Sequence, residues 1–341
     1  MRNLVTLRPI TSLSPIPGAD RIETALIDNW KVVVKKGEFQ PGDICVYFET
    51  DSLLPVEDPR FAFLADRAKE YKGKQYARLK TIRLKKQLSQ GLALPIGQFQ
   101  ELLVKVADGE AVPDMAQRIG VLLYEEEVSQ NLRGQPKGNW PSFLRKTDQE
   151  RVQNMPWVYE DKDSWYEVTV KHDGTSLTVF NFGDKSGVCS RNLELKVDES
   201  NAENLYVKTA TSTGLLEALT KYGKNLAVQG EICGPGIQSC RGGELEVKLY
   251  VFDIFNIESG DYLDRNARKQ VLADLASLGF AGNEAEYLGT HPVPPDFDAL
   301  MAIAESTKFN GRQVEGLVYK RLDAQMSFKV IANSYLLAHD L

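Results

Sequence analysis

The residues best suited to chemistry begin with "KHDG", residues 171–174, between the alternating runs "WYEVTV" and "TSLTVF". A lysine amine is a nucleophile when unprotonated, and the nearby carboxylate of Asp173 is a ligand type that Mg²⁺ accepts. The pattern equally fits a hairpin turn in which Lys171 is solvated. K-x-D-G is weak evidence alone, because average residue usage produces it in roughly one chain in ten of this length.

Two acids follow Lys171 on later strand-like runs, Glu231 in "VQGEICGPG" and Glu315 in "VEGLVYK". With Asp173 they form a set that can hold a divalent cation through its waters. Such a cation would disfavour the lysine ammonium and neutralise a phosphate under attack. Each acid alone also fits a surface residue at a strand end, but the three together favour phosphate-transfer chemistry.

Three more residues occur in the same order: Arg191 in "SRNLE", Phe252 in "LYVFDIF" and Lys329 in "SFKVIANS". Phe252 is suited to stacking on a purine, and core packing explains it equally well. Arg191 and Lys329 are suited to ribose and phosphate contacts, with exposed strand-edge charges as the alternative.

A basic stripe, residues 67–86, reads "RAKEYKGKQYARLKTIRLKK" and contains the single acid Glu70. Because phosphate contacts are made by one face, such a stripe predicts nucleic-acid binding even in a chain with a net charge of -6. An ordinary solvated hairpin is the alternative. The predicted nucleic-acid-binding residues are Lys72, Lys74, Arg78, Lys80, Arg83, Lys85 and Lys86.

The elements that must position these residues fall into two parts. Before residue 124 the chain consists of short strand-like runs such as "NLVTL", "GDICVYFET" and "GLALP", separated by glycine and proline turns. This pattern predicts a small OB-like β-barrel, although an SH3-like barrel would look similar. We expect residues 1–123 to form this domain and the polar residues 124–164 to be a linker leading to the active site.

From residue 165 to residue 341 strands and helices are mixed, and several strands follow one another without a helix between them. The helix-like runs are "NLYVKTATSTGLLEALTKYG", "RNARKQVLADLASLGF" and "DFDALMAIAES". The pattern predicts an α+β fold with mainly antiparallel sheets and flanking helices.

Other site classes are disfavoured. The sequence contains no GxxxxGK[ST] phosphate loop and no GxSxG motif. Its four cysteines include no CxxC pair and its three histidines are scattered, so a zinc site is not expected. The N-terminus lacks a signal-peptide pattern and no window approaches a membrane span, so a cytoplasmic location is expected.

The ordered set from Lys171 to Lys329 resembles that of the covalent nucleotidyltransferases, which include polynucleotide ligases and RNA capping enzymes. The lead-in "RKTDQERVQN" before "VKHDGTSLT" looks most like the ATP-dependent RNA ligases of the Deinococcus/Naegleria type. That type has an N-terminal OB-like domain and a C-terminal nucleotidyltransferase domain, the order predicted here. DNA ligases and capping enzymes carry the OB domain after the last motif, where only "VIANSYLLAHDL" follows Lys329.

The resemblance implies that Lys171 takes AMP from ATP with Mg²⁺ or Mn²⁺, that a 5′-phosphate end accepts the AMP, and that a 3′-hydroxyl then seals the strand. Asp173, Glu231 and Glu315 would hold the metal. The implied nucleotide contacts are Val170, Lys171, Arg151, Arg191, Glu231, Phe252, Glu315 and Lys329. The family's last motif usually has two lysines two residues apart, whereas this chain has Ser327 and Lys329, so Lys329 acts alone or Lys320 substitutes.

Two other functions stay open. A non-catalytic OB-type nucleic-acid-binding protein would bind RNA without nucleotide uptake, and a capping-type guanylyltransferase would use GTP. For the ligase, RNA or an RNA-containing nicked duplex is the expected partner, in RNA repair, and a monomer is expected. The sequence does not distinguish a nicked duplex from a broken single strand.

Overall fold

The computed structural model describes residues 3–103, 114–125, 135–237 and 243–341. Its contacts divide the chain into two units. The N-terminal unit comprises Met1–Glu126, Val152–Pro156 and Leu336–Leu341, and the C-terminal unit comprises Glu127–Arg151 and Trp157–Tyr335. The predicted linker therefore contributes segments to both units, and two of its segments form strands.

Short antiparallel strands dominate the N-terminal unit. They pair in the orders β1-β5-β11, β2-β3-β4, β12-β6-β8-β7 and β10-β9. The strands are β1 Val5–Pro9, β2 Ser12–Pro15, β3 Ile22–Ile27, β4 Trp30–Lys35, β5 Ile44–Phe48, β6 Ser52–Pro55, β7 Lys69–Tyr71, β8 Lys74–Arg78, β9 Thr81–Leu84, β10 Gln87–Gln90, β11 Leu92–Pro95 and β12 Leu122–Leu123, and the helix is α1 Met115–Arg118.

Alternation along β4 shows how this unit forms its core. Trp30, Val32 and Val34 are buried, whereas the residues between them are more exposed, as expected for a half-buried strand. The turn before β4 uses Asp28 with a φ of 49°, a left-handed conformation that aspartate tolerates better than most residues. The period of two in the sequence therefore determines which side chains fill this core.

The C-terminal unit contains two larger sheets, with strand orders β13-β18-β17-β16-β19-β20-β21 and β14-β27-β26-β15-β23, and β22 pairs with β20. Among the described strand pairs, only β14–β27 and β20–β22 are parallel. The strands are β13 Pro136–Asn139, β14 Glu150–Arg151, β15 Trp165–Lys171, β16 Thr175–Phe182, β17 Lys185–Cys189, β18 Leu193–Leu195, β19 Leu226–Cys233, β20 Lys248–Asn256, β21 Asp261–Tyr262, β22 Asn283–Glu284, β23 Tyr287–Pro292, β24 Lys308–Phe309, β25 Arg312–Gln313, β26 Gly316–Arg321 and β27 Ser327–Ile331.

Helices cover one face of the larger sheet: α2 Leu205–Ser212, α3 Leu215–Tyr222 and α4 Arg265–Ser277. Two further described helices are α5 Phe297–Ser306, which packs against β26 and β27 of the other sheet, and α6 Asn333–Ala338, which follows β27. Leu177, Val179 and Val228 pack with Leu219 of α3 and Leu275 of α4 in one core. The α+β class with mainly antiparallel sheets is confirmed.

One predicted helix is two helices in the structure. The run from residue 204 to residue 223 breaks at Gly214, which has a φ of 72°. A Cβ at Gly214 would lie 2.5 Å from the carbonyl oxygen of Gly279, so the close approach of that backbone also requires glycine. The break at Gly214 depends on a contact with the distant residue Gly279, so helical periodicity in the sequence does not predict it.

Within the part of the chain that the structure describes, no helix has both the length and the apolar character needed to cross a membrane.

Candidate active site

Lys171 is the last residue of β15 and lies opposite Gly316 of β26. Because side chains alternate along strands, Lys171 shares one face of this sheet with Val318, and Lys329 of β27, which pairs with Val318, shares that face too. Arg151 of β14 lies opposite Lys329 and is 6% exposed. Strand register therefore brings three predicted cations, distant in sequence, to one surface.

Glu231 approaches Lys171 from the larger sheet. It lies on β19 opposite Ser176 of β16, on the face away from the helices, because its neighbour Ile232 belongs to the helix-covered core. Asp173 lies in the turn between β15 and β16, and Glu315 directly precedes β26. The site is thus formed where these two sheets of the C-terminal unit meet.

The ammonium of Lys171 donates a hydrogen bond from Nζ to Oε2 of Glu315 at 2.7 Å. Burial disfavours the ammonium, but Glu315 and Glu231, with Asp173, outweigh burial, so the pKa of Lys171 lies above its ordinary value. Without a cation on these carboxylates, Lys171 is held in its non-nucleophilic form.

The pKa values of two of these carboxyl groups are raised as well, which for an acid favours the neutral form. Burial raises the pKa of Glu231 to about 8, with repulsion from Glu315 and Asp173 adding to it and Lys171 opposing it. Burial also raises the pKa of Glu315 despite its contact with Lys171. Three acids close enough to repel one another are a suitable oxygen donor set for a hard divalent cation.

Asp173 has a partner that sequence reasoning missed. The hydroxyl of Tyr335, in α6, donates to Oδ2 of Asp173 at 2.6 Å. The turn that carries Asp173 lies against β19, because a Cβ at Gly174 would lie 2.2 Å from the carbonyl oxygen of Ile232. No local signal predicts the tyrosine contact, because it joins residues 162 positions apart in the sequence.

Arg191, between β17 and β18, pairs with Asp148 at 2.9 Å between Nη2 and Oδ1. Burial opposes ionisation of Asp148, but Arg191 and Lys329 lower its pKa below the usual range. Asp148 is a second acid that the sequence motifs did not single out. Arg191 also interacts electrostatically with Glu231, so it lies at the edge of the same site.

Phe252 is in the middle of β20, at a β-bulge. The strand pairing passes from Asp253 opposite Gln229 directly to Val251 opposite Gly230, so Phe252 has no partner on β19. Lys320 donates from Nζ to the Phe252 carbonyl and, at 2.7 Å, to Oδ1 of Asp253. Lys320 therefore stabilises the bulge. This contact differs from the phosphate contact expected of Lys320 as a substitute for the lysine that the last motif lacks. Val170 is 4% exposed, and its side chain alternates away from that of Lys171.

The basic stripe lies in the N-terminal unit. Lys72, Lys74, Arg83, Lys85 and Lys86 are exposed. Arg78 pairs with Asp51 at 2.7 Å, and Lys80 pairs with Asp340. Two of the predicted contacts are thus occupied by carboxylates, and the exposed lysines at the turns are the more available ones.

Comparison with family models gives two matches. Residues 4–96 match the model of an OB-fold domain, and residues 165–331 match the model of RNA ligase. Both the OB-like N-terminal domain and the ligase domain expected from the sequence are confirmed. Comparison with curated protein sequences gives no match.

Solved structures of a Naegleria gruberi RNA ligase are similar to nearly the whole chain. The ligase with PPi is 39% identical, with a TM-score of 0.91, and the match covers 100% of this chain and 99% of that one. A lysine-to-alanine mutant with ATP and Mn and a lysine-to-methionine mutant with AMP and Mn each show 39% identity, a TM-score of 0.89 and 98% coverage of both chains.

Proposed function

The chain belongs to the RNA ligase family, and from this premise we propose that it seals RNA ends with ATP through a covalent adenylate on Lys171. The observation that carries the proposal is the amine of Lys171 within 2.7 Å of Glu315, in a cluster completed by Glu231 and Asp173. Structures of the similar Naegleria ligase contain ATP and Mn, AMP and Mn, or PPi. ATP is the reactant of such a step, PPi its leaving product, AMP the group transferred and Mn a divalent cation.

In the first step the Nζ lone pair of Lys171 attacks the α-phosphate of ATP. A P–N bond forms, the bond to the β-phosphate oxygen breaks, and pyrophosphate leaves. Lys171 must first lose the proton that Glu315 now stabilises. Strand pairing fixes the backbone of Lys171, and the contact with Glu315 keeps its amine within the carboxylate cluster, where the α-phosphate would be attacked.

Asp173, Glu231 and Glu315 fit a divalent cation, because burial and mutual repulsion raise the pKa of Glu231 to about 8 when nothing compensates their charge. A bound Mg²⁺ or Mn²⁺ would neutralise charge on the α-phosphate and disfavour the neighbouring ammonium. The three acids would hold the cation directly or through its waters, and Tyr335 would keep Asp173 oriented.

The remaining nucleotide contacts are part of the same proposal. Phe252 would face the adenine, and Glu231 and Arg191 would contact the ribose. Lys329 and Arg151, which share a register position, would contact the phosphates. Lys171 would form the covalent bond to AMP. The backbone of Val170, which pairs with Leu317, would hold the neighbouring Lys171 in position for this bond.

In the later steps the AMP passes from Lys171 to a 5′-phosphate end, forming a phosphoanhydride and freeing the amine. A 3′-hydroxyl then attacks the activated end, and AMP leaves. We propose RNA or an RNA-containing nicked duplex as the substrate, bound in part by the basic stripe, and a monomeric, cytoplasmic enzyme acting in RNA repair. The exposed lysines of the stripe support the RNA contact.

The first experiment incubates the protein with α-labelled ATP and Mn²⁺ and maps the label. We expect an acid-labile adduct on Lys171 and none in Lys171→Ala, with Lys185→Ala as the exposed-lysine control. Equal labelling of Lys171→Ala, or no labelling of the wild type, contradicts the proposal. α-Labelled GTP presented in place of ATP tests the guanylyltransferase alternative, and RNA binding without any label is the outcome for a non-catalytic protein.

The substrate experiment uses nicked duplexes with RNA or DNA on each side of the nick, and a single-stranded RNA carrying both ends. We expect sealing wherever the 5′-phosphate and 3′-hydroxyl are held side by side by a template. Sealing only of the untemplated single strand would contradict the nicked-duplex proposal while leaving adenylate formation intact.

A further inference from the structure

A second buried cluster lies next to the nucleophile and is not used in the proposed reaction. A ring nitrogen of His172, Sγ of Cys233 and a carboxylate oxygen of Glu244 all lie within 4.8 Å of one another. The three residues are 8%, 1% and 7% exposed. Three potential ligand atoms from separate segments thus converge in the interior of the C-terminal unit.

The fold brings them together through the same register that forms the active site. His172 follows the last residue of β15, and Cys233 is the last residue of β19, two positions after Glu231 and on the same face. Glu244 lies in the segment that leads into β20. The turn with His172 packs closely on Cys233, since a Cβ at Gly174 would lie 2.9 Å from its Sγ.

The imidazole of His172 is fixed in orientation by two aromatic rings. It stacks on Tyr250 with ring centroids 4.0 Å apart and an interplanar angle of 6°, and it meets Phe309 edge-on at 5.1 Å. A ring held this way presents its nitrogens in a fixed direction, which is the preorganisation that ligand histidines need.

One ring nitrogen lacks the partner that burial demands. Nε2 of His172 is buried and has no hydrogen-bond partner among the residues that the structure describes. A buried polar atom without a partner is normally costly, so such an atom calls for a specific explanation. Coordination of a metal ion by this nitrogen would supply one.

The donor types indicate which ion would bind. Imidazole nitrogen and thiolate sulfur suit Zn²⁺ and similar transition metals, whereas Mg²⁺ prefers the all-oxygen set of Asp173, Glu231 and Glu315. A neutral imidazole, a thiolate and a carboxylate together carry two negative charges, which one divalent cation balances. Three protein ligands and one further position make a four-coordinate site.

We propose that His172, Cys233 and Glu244 bind a zinc-class transition metal ion that anchors the turn between β15 and β16, next to Lys171. On binding, the Cys233 thiol releases its proton to solvent, and Sγ, the imidazole nitrogen and the carboxylate oxygen each donate an electron pair to the ion. This ion is structural, separate from the cation of the ligation reaction.

The test titrates Co²⁺ into full-length, chelator-treated protein in excess Mg²⁺, which keeps the all-oxygen site filled. We expect one tightly bound Co²⁺ per chain with a thiolate-to-cobalt charge-transfer band. Cys233→Ser and His172→Asn should lose the band and bind Co²⁺ more than about tenfold more weakly. Cys189→Ser is the matched control, because Cys189 is also a buried thiol but not part of the cluster, and it should keep the band.

The wild-type measurement alone decides the matter if a variant fails to fold. The proposal is overturned if the wild type does not bind Co²⁺ stoichiometrically, or binds it without a sulfur charge-transfer band. The cluster would then be part of a packed aromatic core without a metal. Where the variants fold, an undiminished band in Cys233→Ser overturns it as well. Adenylate labelling of Lys171 is independent of this spectrum, so either conclusion can fail without the other.

Discussion

Lys171 and Glu315 form the ion pair at the centre of the proposed reaction. Burial opposes the ammonium, but Glu315, with Glu231 and Asp173, raises the pKa of Lys171, which keeps the amine protonated in the free protein. A cation that compensates Asp173, Glu231 and Glu315 removes the reason for that protonation. In the proposed reaction, the same three acids therefore keep Lys171 protonated before the metal and nucleotide bind, and no longer do so once a cation compensates them.

Glu231 gives a stability prediction with a definite sign. Its folded-state pKa of about 8 is above the ordinary 4.5, so its contribution is fully present below pH 4.5 and is lost as the pH rises through 8. Between pH 5.5 and 8, without metal or ATP, we expect the free energy of unfolding to fall by on the order of 3 kcal/mol more in the wild type than in Glu231→Gln. Urea titrations measure this difference, and parallel pH profiles for the two proteins would contradict the assignment. Saturating Mg²⁺ should flatten the wild-type profile.

Tyr335 gives a second prediction at this scale. Tyr335→Phe removes the hydroxyl that donates to Asp173, a hydrogen bond to a charged group worth roughly 1.5–3 kcal/mol. We expect the rate of Lys171 adenylylation to fall about tenfold at limiting Mn²⁺ and to recover partly at saturating Mn²⁺, because the metal also orients Asp173. The control is Tyr222→Phe, which removes a similar tyrosine–aspartate hydrogen bond, to Asp274, on the helix-covered side of the larger sheet and not on the side of Glu231. Equal effects of both substitutions would mean that Tyr335 acts on stability alone.

At the scale of the element, the bulge in β20 determines how Phe252 is presented. A bulge re-aims a side chain within a strand, and here Lys320 of β26 holds the bulged carbonyl across to the other sheet. The run "LYVFDIF" predicts a strand from its composition, and the strand is present. The bulge depends on how β19 and β20 pair, so the strand pattern alone left stacking and core packing equally open for Phe252.

Lys320→Met tests this element. The substitution leaves the buried Asp253 without the ion pair and is expected to destabilise the protein by roughly 3–5 kcal/mol. In the double variant with Asp253→Asn, stability should largely return because the uncompensated charge is gone. The KM for ATP should remain about tenfold higher, because the Phe252 carbonyl is still unheld. Recovery of both properties in the double variant would show that Lys320 serves only to neutralise Asp253.

At the scale of the whole molecule, the N-terminal unit carries the basic stripe and the C-terminal unit carries the residues proposed to bind the nucleotide. The hairpin β9–β10 turns at Lys85 and Lys86, with φ values of 49° and 67°. Asparagine and glycine are the favoured residues in such a turn, and other residues there cost roughly 1–2 kcal/mol each. Lysines in this position lower the stability of the turn but expose two positive charges, which fits a role in contacting phosphates.

The double variant Lys85→Asn/Lys86→Gly therefore separates stability from binding. We expect its Tm to rise, its affinity for RNA to fall several-fold, and the slope of log affinity against log salt to become shallower by about 1.4, or ~0.7 per lost contact to a single strand. Labelling of Lys171 by ATP should be unchanged. Lys208→Gln/Lys221→Gln, which removes two exposed lysines of the C-terminal unit, is the charge-matched control. Unchanged RNA affinity in the turn variant would exclude these lysines from the binding surface.

The sequence by itself determined the α+β class, the strand and helix composition, the ordered set from Lys171 to Lys329 and the reaction class, because strand periodicity and residue types are local properties. Only the tertiary structure decided which of these residues meet. Strand register places Lys329 beside Arg151, Tyr335 donates to Asp173 from the last helix, and Lys320 donates to the Phe252 carbonyl and Asp253 at the β20 bulge. His172, Cys233 and Glu244 are too scattered to suggest a metal site by spacing, and they converge because β15 and β19 end at the same place. Contacts between distant segments depend on pairing and packing across the whole unit, which no local pattern encodes.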